Sequence, residues 1–301
     1  MHNTALYRKL LKDFKPYLSA PSRPIGLTID FHGRFNDTLR VPRGAVRDTS
    51  TPDFEVYTKA NLRYLSSRDG YARFDLETGC VEASLGRRME RSPTPRFFVK
   101  YSIIRGLERR KRPPLHSSAV TDGEHTRIFV GRTGSGKTTL LMLNLLHGKT
   151  LLTDDVLFLG NGAIYPFPMR ANLHLNTINR LRRKNKFVGS HLKPGLVDLG
   201  AIFPCRRDPI QQSNISIYYL NVWRANRTKI RRVTPPLMLG QLTGSYVTEY
   251  NASYWYGWKS GRRISNAMRA YSEILKGADC YQVYAGSDLT HLYKSFIRTE
   301  D

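Results

Sequence analysis

Arg127-Ile-Phe-Val-Gly-Arg-Thr-Gly-Ser-Gly-Lys-Thr-Thr139, followed by Thr150-Leu-Leu-Thr-Asp-Asp-Val-Leu-Phe-Leu159, is the stretch on which the reading of this chain turns. Residues 131–138 fit the pattern G-x-x-x-x-G-K-[ST]. Glycines in that pattern let the backbone wrap an anion with no Cβ in the way, and several N–H groups turn inward. Gly131, Arg132, Thr133, Gly134, Ser135, Gly136, Lys137, Thr138 and Thr139 are therefore expected to cradle the phosphates of ATP or GTP. Lys137 would reach the β- and γ-phosphates, and the Thr138 hydroxyl would ligate Mg²⁺. The flanks suit this role. Arg127–Val130 is a short β-favouring run, and Thr138–His147 is apolar at helical spacing with Gly148 as its stop. Strand, loop and helix in that order put a helix N-terminus at the phosphates.

The paired Asp154-Asp155 comes seventeen residues after Lys137, inside what reads as one buried strand, 150–159. Acids within an apolar strand are costly unless paired or bound to metal, so the pair is expected to act on a metal or a proton. Upstream, Leu115–Val120 reads as the first core strand, and Asp122-Gly123 as a hairpin turn into the strand that feeds the loop. Before it, Arg96–Arg109 reads as a helix with Phe97, Phe98, Tyr101, Ile104 and Leu107 on one face. Arg109–Arg112 suits its C-terminus, and Pro113-Pro114 ends it. Residues 4–17 read as a short amphipathic helix. Strands are expected at 25–31, 71–76 and 80–85, with a turn at Glu77–Gly79. The domain reading is a small N-terminal α+β region over 1–92 and a P-loop domain over 93–301.

A chain of 301 residues with 17 Tyr and 13 Phe can bury a core. Its formal charge is +24 and its pI about 10.2, a field that favours polyanions. From Arg170 to Arg232 fourteen Lys and Arg face two acids, Asp198 and Asp208. Candidate RNA-contacting residues are Arg180, Arg182, Arg183 and Lys184 in the densest run, Arg231 and Arg232 in a second, and Arg262 and Arg263 in a third. The third adjoins the aromatic segment Tyr254–Trp258. Basic groups beside aromatics suit single-stranded or looped RNA, where bases stack and phosphates pair. Cys80, Cys205 and Cys280 are far apart, without zinc-ligand spacing, which argues for a reducing compartment. No apolar signal core and no run of eighteen apolar residues is present, so a cytoplasmic protein without membrane contact is expected.

The segment Leu115–Asp155 resembles the HPr kinase/phosphorylase family, relatives of the phosphoenolpyruvate carboxykinases. His116 at the head of the strand before the loop, the loop 131–138 and the pair Asp154-Asp155 match that family in order and spacing. Tyr165-Pro-Phe-Pro168 and Gly195-Leu-Val-Asp-Leu199 extend the likeness more faintly. His191-Leu-Lys-Pro194 stands where the family has an arginine and glycines, a departure that bears on its phosphorylase reaction. The resemblance implies an α/β fold with an HPr-kinase-like P-loop core. It implies Asp154 as general base, Asp155 with Thr138 in the Mg²⁺ shell, and His116 beside the phosphates. The residues themselves leave the two aspartate roles interchangeable. Arg170 or the arginines at 262–263 would stabilise the transferred group.

With this charge the chain is more similar to the archaeal tRNA kinases of that fold, which phosphorylate a ribose 2′-hydroxyl. The expected function is an ATP- or GTP-dependent RNA kinase acting on structured RNA such as tRNA. The alternatives are a protein serine/threonine kinase of the HPr type with an acidic substrate, and a nucleotide-gated RNA-binding protein without transferase activity.

Overall fold

The computed structural model of the chain describes residues 29–32, 40–50, 55–68, 70–75, 77, 80–86, 94–182, 192–211, 214–222, 225–251 and 261–297. The expected helix at 4–17, Arg183, Lys184 and the aromatic segment 254–258 lie outside these described residues. By contact density the chain divides into two compact units. One is Met1–Arg110 with Tyr250–Lys259, and the other is Lys111–Glu249 with Ser260–Asp301. Both mix helix and sheet.

The first unit carries a six-stranded sheet of β1 (Ile29–His32), β2 (Val46–Ser50), β3 (Glu55–Lys59), β4 (Leu62–Ser67), β5 (Gly70–Asp75) and β6 (Val81–Leu85). Consecutive strands β2 to β6 pair antiparallel, and β1 adds to β6 in parallel. Along β5, Ala72 and Phe74 are buried while Tyr71 and Arg73 are not, the period-two alternation of a sheet with one covered face. The helix α1 (Thr94–Arg109) supplies cover. Its Phe98, Tyr101 and Ile104 recur every three residues and are fully buried. The rings of Phe98 and Tyr101 meet Phe74 edge-on, with centroids 5.0 and 5.2 Å apart. An apolar helix face needs a partner surface, and here that surface is this sheet. The ring packing therefore places α1 in the first unit, where the sequence reading had begun the P-loop domain at 93.

The second unit is built on a nine-stranded mixed sheet in the order β14-β11-β10-β7-β8-β15-β17-β16, with β9 also on β7. Its strands are β7 (Pro114–Thr121), β8 (Thr126–Gly131), β9 (Thr150–Thr153), β10 (Val156–Gly160), β11 (Ala163–Tyr165), β14 (Ile210–Gln211), β15 (Ile215–Val222), β16 (Lys229–Arg232) and β17 (Ala278–Ala285). A separate ribbon pairs β12 (Ala171–Leu173) with β13 (Gly195–Val197). The helices are α2 (Lys137–Leu146), α3 (Leu175–Arg182), α4 (Pro235–Tyr246), α5 (Gly261–Leu275) and α6 (Leu289–Ile297).

The hairpin β7–β8 turns through Asp122, whose carboxylate accepts from the N–H groups of Glu124 (3.2 Å) and His125 (2.8 Å). This is the Asx geometry that favours Asp at a turn. The helix α2 is apolar nearly all round because it is central. Leu140, Leu141 and Leu145 pack among Phe129, Tyr218 and Phe296. Gly148, at φ 84°, closes it with the backbone bonds Gly148 N–H to Leu145 O and Lys149 N–H to Asn144 O. Among the described residues no helix is long and apolar enough to cross a membrane.

One expectation changes. Residues 150–159 are two strands rather than one, broken at Asp154-Asp155, and both lie along the same edge of β7. Thr153 makes the corner: its hydroxyl accepts from the Val156 N–H (3.2 Å) and donates to the Val156 carbonyl (2.8 Å). The Val156 backbone groups at the break are thereby paired within the protein.

Candidate active site

The phosphate-loop residues 131–138 run from the end of β8 into α2, as the pattern requires. Gly131 has φ 149°, and a Cβ there would lie 2.6 Å from the Leu220 carbonyl oxygen and 2.8 Å from Ser135 Oγ. Only glycine fits against β15 at this point. Gly136, at φ 100°, turns the chain into the helix. Ser135 is 5 % exposed, and its hydroxyl has no hydrogen-bond partner among the described residues. The Lys137 ammonium donates to the carbonyls of Gly131 (2.7 Å) and Arg132 (3.2 Å). Burial lowers the pKa of Lys137, opposed by the charges of Glu249, Asp154 and Asp155 in that order. An unpaired buried hydroxyl and an ammonium held on loop carbonyls are both donors that an anion would satisfy. The loop fits a phosphate chain.

The other half of the site lies across β7, where alternate residues share one face. Ser118 Oγ donates to Asp154 Oδ1 at 2.9 Å, and Thr138 Oγ1 donates to Asp154 Oδ2 at 3.4 Å. The other aspartate pairs with His116, Nδ1 to Oδ1 at 3.3 Å, and its carbonyl accepts from the Ser117 N–H at 3.2 Å. The break between β9 and β10 thus turns one carboxylate toward the phosphate loop and the other toward the histidine. Burial pushes Asp154 up to about 7, and the neighbouring Asp155 adds to it. The hydroxyls of Ser118 and Thr138 and the Lys137 charge oppose the rise. Asp154 as a whole residue is only half-buried, so water reaching it offsets part of that rise.

Among the described residues no three His, Cys, Asp or Glu side chains form a self-sufficient metal cluster. Mg²⁺ does not need one. It is held through one or two protein oxygens together with substrate phosphates and waters. Thr138 Oγ1 lies beside Asp154, whereas Asp155, expected with Thr138, lies against His116.

The basic candidates spread over several elements. Arg180 donates to the Ser287 carbonyl (2.8 Å), Arg182 to the Leu192 carbonyl (3.4 Å) and Arg231 to Gln282 Oε1 (2.6 and 2.9 Å). Arg232 forms an ion pair with Asp279. All four are exposed, as is Arg262. Arg263 is 9 % exposed on α5, which removes it from any surface set: a buried guanidinium cannot reach an external phosphate without unpacking. Arg170 donates to the Leu196 carbonyl at 2.7 Å and ties β12 to β13.

Two residues escaped the sequence reading. Ser118 was visible as part of a strand, and its position two residues after His116 was the signal available. Glu249 sits in a π-helical turn, 247–251, after α4, and has the largest electrostatic effect of any carboxylate on Lys137. No local pattern marks it. Compared with known proteins, the chain matches no family model and no curated sequence.

Proposed function

We propose that the second unit transfers the γ-phosphoryl group of ATP or GTP to a hydroxyl of RNA, in the manner of an HPr-kinase-like P-loop kinase. The observation that carries this reading is the hydrogen-bonded line Thr138–Asp154–Ser118. It joins the phosphate loop to an aspartate pair, which a loop serving only to grip an anion has no need of. The charge of +24 supports a polyanionic acceptor, and the resemblance to tRNA kinases implies a ribose 2′-hydroxyl of a structured RNA such as tRNA.

The hydrogen bonds favour an exchange of the two aspartate roles implied by the resemblance. Asp154, beside the Thr138 hydroxyl, belongs to the metal side. Thr138 and Asp154 would hold Mg²⁺ there, and the ion would supply positive charge against the phosphates. Asp155 with His116 forms a carboxylate–imidazole pair suited to accept a proton. In the transfer, the acceptor oxygen forms a bond to the γ-phosphorus while the bridging bond to the β-phosphate breaks. The hydroxyl proton passes to the Asp155–His116 pair, and a nucleoside diphosphate leaves. Positioned proton acceptors of this kind contribute roughly 10²–10⁴-fold. Lys137, released from its loop carbonyls, and the loop N–H groups stabilise the charge on the transferring oxygens.

Incubation with γ-labelled ATP, bulk tRNA and a protein extract tests the reading. Label in RNA is the expected result, at a nucleotide whose 3′-phosphodiester then resists alkaline cleavage, because a 2′-phosphate blocks internal attack. Label in protein alone would replace the RNA acceptor with a protein one. No label in either pool would leave only a nucleotide-gated binding protein.

A further inference from the structure

On the β15 side of the phosphate loop, opposite the aspartate pair, a groove of about 660 Å³ opens beside Arg132. This volume is in the range of small-ligand sites, roughly 300–1,000 Å³. One wall is Tyr219, half-buried within β15. The other is α4 with the π-helical turn behind it, and includes Gln241, Gly244 and Glu249.

Four features of these walls are unexplained by packing. Gln241 Oε1 is buried with no hydrogen-bond partner among the described residues, an arrangement that costs stability unless a ligand donates to it. Gly244 lies in a helix interior with nothing among the described residues within 4 Å of where a Cβ would be. A helical glycine is less favourable than alanine, and no close approach among the described residues requires this one; its effect is to keep the groove open. The π-helical turn, a feature often found at functional sites, presents Glu249 near Lys137. A carboxylate there repels phosphate but accepts hydrogen bonds from hydroxyls. Finally, Tyr219 supplies an aromatic face of the kind on which bases stack.

From these features together we infer that the groove is a nucleoside subsite. A base rests against Tyr219 and donates an exocyclic amine to Gln241 Oε1, and ribose hydroxyls donate to Glu249. The inference rests on the phosphotransfer reading for the presence of phosphates in the adjoining loop. The nucleoside has two possible sources, the triphosphate donor and the acceptor RNA, and the experiment separates them.

Calorimetry with ATP, inorganic tripolyphosphate and a short single-stranded RNA is run on the full chain and on Gln241→Leu and Gly244→Leu. The first variant removes the acceptor while keeping the shape. The second fills open space on a helix that tolerates it, so folding is not at stake in both. If the groove holds the donor nucleoside, both variants weaken ATP about tenfold or more and leave tripolyphosphate unchanged. If it holds the acceptor nucleotide, ATP and tripolyphosphate keep their affinities and RNA binding weakens by a similar factor. Unchanged binding of all three ligands overturns the inference. So does an equal loss for ATP and tripolyphosphate, since the walls would then only be supporting the loop. None of these readouts needs turnover, so absence of label transfer to RNA would fail the phosphotransfer reading without deciding this one.

Discussion

Replacing Asp154 by Asn should stabilise the protein at alkaline pH while damaging its function. The Asp154 carboxyl is pushed up to about 7, chiefly by burial, from an ordinary 3.8. A carboxyl whose folded value is raised holds its proton more tightly in the folded state. Its ionisation therefore subtracts stability as pH rises from about 4, and the loss is complete above about 7. Three pKa units at 1.36 kcal/mol each set a ceiling of roughly 4 kcal/mol. Asp154 is half-buried, which reduces the expectation to about 1–3 kcal/mol. Asn carries no charge at any pH, and the rotating hydroxyls of Ser118 and Thr138 can still donate to its carbonyl or accept from its amide. Urea unfolding of both proteins at pH 5 and pH 8, with EDTA present, reads the effect. The stability of Asp154→Asn relative to the parent should rise by about two-thirds of that amount between the two pH values, because the parent has already lost the remainder below pH 5. A difference that is the same at both would refute the reasoning, because it would mean that Asp154 is ionised without penalty.

Gly131→Ala should lower Tm, by about 1–3 kcal/mol of stability from the strained φ and the 2.6 Å approach to Leu220 O, and should abolish ATP binding. An unchanged Tm would mean that the loop has room that the geometry denies it. Asp155→Asn and His116→Gln should each lower kcat by ~10²–10⁴-fold without moving the Mg²⁺ midpoint, whereas Asp154→Asn should move it. If Asp155→Asn moves the midpoint instead, the metal and proton roles belong the other way round. Joint replacement of Arg180, Arg182, Arg231 and Arg232 should flatten the salt dependence of RNA binding by about 0.7–0.9 log units for each phosphate no longer neutralised. A parental slope would place the RNA path on other residues.

The strand, glycine loop and helix around 131–138 were legible because their requirements are local: glycines at fixed spacing, a strand before and an apolar helix after. The partners of the loop were legible only in part. Leu151-Leu152 and Val156–Leu159 read alike as apolar strand, and nothing between them announces that the chain leaves one stretch of the β7 edge and rejoins it lower down. The roles of Asp154 and Asp155 depend on that corner, so the sequence left them interchangeable. The boundary near 92 was read from its prolines, but the partner of Phe98 and Tyr101 is the ring of Phe74, well upstream, which periodicity cannot point to. Glu249 is far from Lys137 in sequence and comes near it only through the packing of α4. Charge density picked out Arg263 together with Arg262, and burial separates them, since a helix turns neighbouring residues to different faces.

The two-residue rhythm of β7 also determines where this chain can change length. His116 meets Asp155 and Ser118 meets Asp154, so the strand works as a ruler with two marks. An insertion in the turn at 122–125 leaves both marks aligned, because the ruler and its partner are untouched. A single residue added or removed between Thr150 and Val156 shifts the partner by one step, and each side chain then faces the opposite surface of the sheet. Homologous chains of this kind should therefore vary freely in length at the hairpin tip and hold the spacing from Lys137 to the aspartate pair nearly constant.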